Sequence, residues 1–194
     1  TNYLFSDLKT FYLINELLPE KCNVHLSNSS VVRYSQLFDP VPNVHYFGNR
    51  GVSGIDGSTS TVFGFAEKSN RMNVFITGDL SFLYDSNALW IEQSNLNVKI
   101  VLINNGGGGI FRIIPGPSAT NSLEKGFCTA HEHSFEKLIE AHNFSYSQVS
   151  SEENLEHELT DLFYKKKGVS ILEVNTSKIL NERFLNDYFN ELKK

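Results

Sequence analysis

The sequence predicts an α/β fold of three layers, with about six mostly parallel strands in one sheet and helices on both faces. Three observations carry this. Six β-rich runs alternate with stretches of helical spacing along the chain. Several of those runs, such as "VKIVLI" at 98–103, are apolar without a strict period of two, as strands covered on both faces are. The unusual residues, glycines, amides and isolated charges, gather just after the strands, where open parallel sheets bind ligands. A chain of 194 residues suits one substantial core, so residues 1–194 are read as a single domain.

The elements follow in order. Residues 6–18, "SDLKTFYLINELL", place Leu8, Phe11, Tyr12, Ile14, Leu17 and Leu18 on one helical face, with Ser6 as cap and Pro19 as stop. Strands are expected at 23–26, 43–47, 73–77, 98–103, 144–149 and 168–174, where β-branched and aromatic residues cluster. Helices are expected near 30–38, 54–68, 81–94, 132–142, 151–164 and 178–192. Residues 105–130 carry glycines, Pro115, Pro117 and several Ser, Thr and Asn without periodicity, a long loop of the kind that is functional or disordered.

Composition narrows the function classes. The formal charge is −5 and the 17 basic residues are mostly scattered singly, which gives no stripe for a phosphate backbone, so nucleic acid is set aside. No apolar run approaches the roughly 18 residues of a membrane span, and residues 1–20 lack signal-peptide order, so a cytoplasmic location is expected. Cys22 and Cys128 have no disulfide or metal-ligand spacing and read as buried or idle thiols.

The chemistry should sit in four loops: "SNSSVVR" after the first strand, "GNRGVSGIDG" after the second, "GDLS" after the third and "NNGGGG" after the fourth. Asp79 and Asn105 lie 26 positions apart, room for one helix and one strand, so a βαβ unit can set them side by side. A carboxylate, an amide oxygen and carbonyls freed by glycine form the hard-oxygen set that Mg²⁺ or Ca²⁺ accepts, with phosphate completing it. Ser81 opens a helix whose N–H groups favour a phosphate. The alternative is that Asp79 only caps that helix. Gly48, Gly51, Gly54 and Gly57 lack the tight G-x-G turn of a dinucleotide site. Ser53 is expected to begin a helix, with Arg50 just before it, and Arg33 lies one turn into the helix after Asn28 and Ser29. Two arginine forks at one sheet edge suggest a polyanionic substrate; the alternative for each is an ordinary surface pair.

Together, Gly78-Asp79 followed at a little under thirty residues by Asn104-Asn105 resembles the diphosphate-binding domain of thiamine diphosphate-dependent enzymes. By that resemblance Asp79, Asn105 and the carbonyl of Gly107 would bind Mg²⁺ or Mn²⁺, and Ser53, Gly54, Ile55, Asp79, Leu80, Ser81, Asn105 and Gly107 would bind thiamine diphosphate. Leu80 stands where the family motif usually has glycine. That departure, with "SNSSVVR", "NRGVSGIDG", "GDLSFLYDSNAL" and "NNGGGGIFRIIPGP", is similar to the branch of the family acting in menaquinone biosynthesis. The implied reaction decarboxylates 2-oxoglutarate and adds the succinyl unit to isochorismate. Asn28, Ser29, Arg33 and Arg50 would then face substrate carboxylates, Ile55 would prop the bent cofactor, and Ile110 and Phe111 would line the pocket.

The resemblance also implies something outside the chain. Family members activate the cofactor with a glutamate on a pyrimidine-binding domain, contributed across a dimer interface by a second subunit. No such domain fits beside six strands here, so 1–194 is expected to be the C-terminal part of a longer three-domain enzyme, a homodimer or homotetramer, with no catalytic residue within this chain alone. Two rivals are a different thiamine diphosphate decarboxylase or acetohydroxyacid-type synthase, and a non-catalytic α/β module that holds phosphate in its glycine loop. Two weaker signals remain. His131 and His133 in "HEH" read as a surface helix start rather than a metal site. Ile179, Leu180, Phe184, Leu185, Tyr188, Phe189 and Leu192 form one broad face that packs on the domain or meets a partner.

Overall fold

The structure, a computed structural model, describes residues 5–91, 95–176 and 180–191. Six strands, β1 (Asn23–Leu26), β2 (His45–Gly48), β3 (Asn73–Gly78), β4 (Val98–Asn104), β5 (Ser145–Val149) and β6 (Ser170–Asn175), form one sheet in the order β2-β1-β3-β4-β6-β5. All five pairings are parallel. The helices are α1 (Asp7–Leu17), α2 (Ser30–Ser35), α3 (Ser58–Ala66), α4 (Asp79–Tyr84), α5 (Glu136–Glu140), α6 (Glu152–Tyr164) and α7 (Leu180–Glu191).

Why the strands lack a visible period of two is now plain: alternate residues feed two different cores. Val74, Ile76, Val101, Ile103, Leu172 and Val174 meet α1, α2, α6 and α7 on one face. Phe75, Ile100, Leu102 and Ile171 meet α3, α4 and α5 on the other. Each face is apolar, so the sequence shows a run where a half-solvated strand would alternate. Edge strand β2 is the exception, with all four residues exposed.

Helix α1 is capped as expected, Ser6 Oγ accepting from the Lys9 N–H at 3.2 Å. Its face is narrower than the sequence suggested, for Tyr12 is 38% exposed. The terminal helix packs on the domain through Leu185 and Tyr188, while Phe189 stays exposed; Ile179 and Leu192 lie outside the described residues.

Several boundaries differ from the sequence reading, each for a local reason. The third helix starts at Ser58, not Ser53, because Ser53 has φ 57° and Gly57 has φ 67°. The stretch at 81–94 opens two residues earlier, at Asp79, and breaks at Asp85 before a 3₁₀ turn over Ser86–Trp90. Asp85 is drawn away, its Oδ2 accepting from the Ser60 N–H (2.7 Å) and hydroxyl (3.1 Å) and so capping the first turn of α3; residues 92–94 lie outside the described part. The helix expected at 132–142 shrinks to Glu136–Glu140, since the His133 N–H donates to His131 Nδ1 at 3.1 Å within a loop. The long 105–130 segment holds 3₁₀ turns at Gly109–Arg112 and Pro117–Ala119 and a π-helical turn at Leu123–Cys128. A two-pronged bond ties it together: Arg112 Nε and Nη2 donate to the Glu124 carboxylate at 2.9 and 2.7 Å. Among the described residues no helix is long and apolar enough to cross a membrane.

Candidate functional site

From β1 the chain turns outward to β2, and from β3 it crosses through α4 to β4, so the strand order reverses between β1 and β3. Loops diverge at such a point and leave a crevice beyond the carboxyl ends. Here the crevice has a volume of about 650 Å³ including its open mouth. Its walls are Asn28–Val31 after β1, Gly78–Ser81 after β3, Asn105 and Gly107–Gly109 after β4, with Asp7, Phe11, Ile55 and Phe111 closing the sides.

Strand register places the two halves of the expected site together. Gly78 pairs with Ile103, so Asp79 and Asn104-Asn105 leave the sheet at the same edge. Asp79 is not the cap of α4; Gly78 is, and makes no side-chain cap bond. Its Oδ1 accepts from the Leu80 N–H in the first turn of α4 at 2.7 Å, while Oδ2 joins the two loops by accepting from the Gly107 N–H at 2.8 Å. His131 Nε2 lies 3.2 Å from the same Oδ2.

The run of glycines has a geometric cause at one position above all. Gly107 has φ 137°, and a Cβ there would stand 2.5 Å from the Cys128 carbonyl oxygen. Only glycine lets the backbone fold this tightly against the 128–130 segment, where the Gly108 N–H donates to the Cys128 carbonyl at 2.6 Å. The Gly107 carbonyl accepts from the Gly109 N–H at 2.9 Å, which leaves it a second lone pair.

Asn105 has a divided amide. Its Nδ2 donates to Asp7 Oδ2 at 2.9 Å, while its Oδ1 is buried with no hydrogen-bond partner. Buried acceptors are rarely left so, and an amide oxygen in this state, beside a carboxylate and a glycine carbonyl, suits a hard divalent cation. The donor set therefore fits a Mg²⁺–diphosphate group, which Asp79, Asn105 and Gly107 would hold. Among the described residues no group of three or more His, Cys, Asp or Glu side chains is placed to hold a metal, so the oxygen set stands apart from a zinc-type cluster.

Asp7 is 2% exposed. Burial pushes its carboxyl up to about 6, hydrogen bonds from Thr176 and Asn105 pull it back, and the charge of Asp79 pushes it up again. Thr176 Oγ1 donates to Asp7 Oδ1 at 2.5 Å and Asn181 Nδ2 at 2.9 Å.

Of the residues expected to meet cofactor, Ile55, Asp79, Leu80, Ser81, Asn105 and Gly107 line the crevice, whereas Ser53 and Gly54 do not. The Ser81 hydroxyl donates to the Ile55 carbonyl at 2.7 Å and pins that loop to α4. Of those expected to meet substrate, Asn28, Ser29 and Phe111 line it; Arg33, Arg50 and Ile110 do not. Arg33 is exposed on α2 and Ile110 is buried beneath the loop. Arg50 is joined to the wall indirectly, its Nη1 donating to Asn28 Oδ1 at 2.6 Å, while Asn28 Nδ2 donates to the carbonyls of Asn49 (2.8 Å) and Gly54 (2.5 Å).

Two residues at the site escaped the sequence reading. Asp7 looks like an ordinary acidic residue in a first helical turn, and no local signal marks it. His131 is not part of a surface helix start: α5 begins only at Glu136, and the His131 side chain, 8% exposed, lies against Asp79, a place hinted at by the "HEH" pattern alone. His133 stays exposed.

A parallel sheet whose switch-point crevice offers oxygen donors suited to a metal and a diphosphate defines a class, and the sequence comparison agrees: residues 29–174 match the model of the thiamine pyrophosphate enzyme C-terminal TPP binding domain. The chain belongs to that family. More particularly, it is similar to the 2-succinyl-5-enolpyruvyl-6-hydroxy-3-cyclohexene-1-carboxylate synthases. It is 47% identical to that of Flavobacterium johnsoniae over 188 residues, covering 97% of this chain and 34% of the relative. For Flavobacterium psychrophilum the identity is 45% with the same coverages. For Porphyromonas gingivalis it is 42%, covering 95% of this chain and 32% of the relative. The chain thus spans about a third of the length of the curated relatives it matches. Among solved structures, a putative thiamin diphosphate-dependent enzyme from Mycobacterium smegmatis superposes with a TM-score of 0.69 at 21% identity, covering 89% of this chain and 32% of that one. That likeness speaks to the fold.

Proposed function

We propose that this chain is the C-terminal, diphosphate-binding domain of a longer three-domain thiamine diphosphate-dependent synthase that decarboxylates 2-oxoglutarate and adds the succinyl unit to isochorismate, in menaquinone biosynthesis. The observation that carries the site is the buried, unpartnered Asn105 Oδ1 in a crevice shared with Asp79 and Gly107. The substrate assignment is supported by the relatives, whose identity extends over nearly the whole chain.

In this reading Asp79, Asn105 and the Gly107 carbonyl hold Mg²⁺ or Mn²⁺, which neutralises the diphosphate. Leu80 and Ser81 line the wall at the start of α4, and Ile55 supplies an apolar prop held by the Ser81 hydroxyl. The cofactor, when bound, supplies the electron sink for decarboxylation. The chain's own part is position and charge. Asn28 and Ser29 form the polar wall toward substrate, and Arg50, clamped to Asn28, brings positive charge behind it for a dicarboxylate. Arg33 and Ser53 stand outside the crevice, and their roles require the neighbouring subunit or a shift of their loops on binding. The activating glutamate and the pyrimidine-binding domain come from a second subunit of a homodimer or homotetramer.

The test uses the full-length protein with thiamine diphosphate and Mg²⁺. Release of CO₂ from 2-oxoglutarate with consumption of isochorismate is the expected result. A preference for pyruvate would move the protein to the acetohydroxyacid-type synthases. No cofactor binding at all would leave only a phosphate-holding module.

A further inference from the structure

Asp7 lies before the family match at 29–174, yet it reaches the centre of the site. Its two carboxylate oxygens have separate tasks. Oδ1 accepts from Thr176 Oγ1 and Asn181 Nδ2, while Oδ2 accepts from Asn105 Nδ2. The Asp7 N–H donates to Asn181 Oδ1 at 2.8 Å, which locks Asn181 in turn.

A primary amide on a cavity wall can present oxygen or nitrogen, for the two orientations have nearly the same shape. A carboxylate beside it can only accept, so the amide must turn its NH₂ toward the carboxylate. At Asn105 that choice leaves Oδ1 buried and without a hydrogen-bond partner, and a cation requires an oxygen there, not an NH₂. We propose that Asp7 is a positioning residue that selects the orientation of the Asn105 amide and so presents Oδ1 to the divalent cation of the diphosphate site. This rests on the metal assignment of the preceding section.

The geometry dictates what an isosteric change does. In Asp7→Asn, two donors, Thr176 Oγ1 and Asn181 Nδ2, hold the oxygen of the new amide on their side, so its NH₂ faces Asn105. Two NH₂ groups cannot pair, Asn105 turns over, and its nitrogen meets the cation. Adding Asn105→Asp restores the arrangement, because one carboxylate oxygen accepts from residue 7 and the other remains for the metal. In the native background Asn105→Asp does the reverse, setting two carboxylates against each other.

The experiment is a Mn²⁺ titration by electron paramagnetic resonance in the presence of thiamine diphosphate, on the full-length protein and on D7N, N105D and D7N/N105D, with circular dichroism as a check on folding. D7N is expected to bind Mn²⁺ about 10–100-fold more weakly, the usual scale for losing an outer partner of a ligand. N105D is expected to weaken binding alone and to strengthen it on top of D7N, a reversal of sign that a merely structural Asp7 would not produce. Unchanged affinity in D7N, or an N105D effect of the same sign in both backgrounds, overturns the proposal. Should D7N fail to fold, D7N/N105D decides: near-native Mn²⁺ affinity supports the orienting role, and its loss rejects it. If the unsubstituted protein binds no Mn²⁺ with the cofactor, the metal assignment falls and takes this proposal with it.

Discussion

The Gly107 N–H donates to the Asp79 carboxylate at 2.8 Å, joining the loops after β3 and β4 across 28 residues of sequence. The bond exists because Gly107 sits at φ 137° against the Cys128 carbonyl. Gly107→Ala would drive a Cβ to 2.5 Å from that oxygen, so the loop must move and the bond must break. A loss of about 2 kcal/mol or more in urea unfolding is expected, with cofactor binding lost as well. Gly109→Ala is the control, since its Cβ would meet only ordinary contacts with Asn105 at 3.5 Å and beyond; its cost should stay within about 1 kcal/mol.

Asp79→Asn keeps the shape and removes the charge. One end of the new side chain is then NH₂, facing either the Leu80 or the Gly107 N–H that the carboxylate now satisfies. Mg²⁺-dependent binding of thiamine diphosphate, followed by calorimetry, should weaken by about 100-fold or more. Retained affinity would remove Asp79 from the metal site.

Ser81 acts through Ile55. Removing its hydroxyl leaves the Ile55 carbonyl without the 2.7 Å bond that now holds it to α4. Ser81→Ala should cost about 1–2 kcal/mol of stability by thermal or urea unfolding. If Ile55 props the cofactor, turnover should fall further than cofactor affinity does, and an equal fall in both would argue against the prop.

Lys99 gives the pH dependence. It is fully buried in β4, its Nζ donating to the Gly168 carbonyl at 2.7 Å, and burial pushes its ammonium down to about 8 from 10.5. Between those values the native state holds fewer protons than the unfolded chain, so stability rises as pH rises through the window. The contribution is at most about 3 kcal/mol. Urea unfolding at pH 7.5 and 9.5 should show this rise in the native protein relative to Lys99→Met. Parallel behaviour of the two proteins would mean that Lys99 titrates normally.

Much of this architecture was legible in the sequence. Val98–Ile103 and Asn73–Thr77 announce buried strands, and the chain between Asp79 and Asn105 has the length of one crossover, so a βαβ unit delivers both to one edge. Those features are local: strand and helix periods, and the length of a crossover, are properties of consecutive residues. Which distant side chains meet at the edge is a different kind of fact. Asp7 reaches Asn105 across 98 positions because α1 packs over the sheet beside α6 and α7. His131 reaches Asp79 because the 128–131 segment folds back on the glycine loop. Arg33 and Arg50, expected in the crevice, stand outside it because α2 turns one outward and Asn28 holds the other. The sequence alone determined a parallel sheet and a pair of loops that bring oxygen-bearing residues to one edge; the tertiary structure decided which end of the Asn105 amide faces Asp7 and which is left unpartnered, since that depends on a carboxylate whose position only the packing of α1 sets.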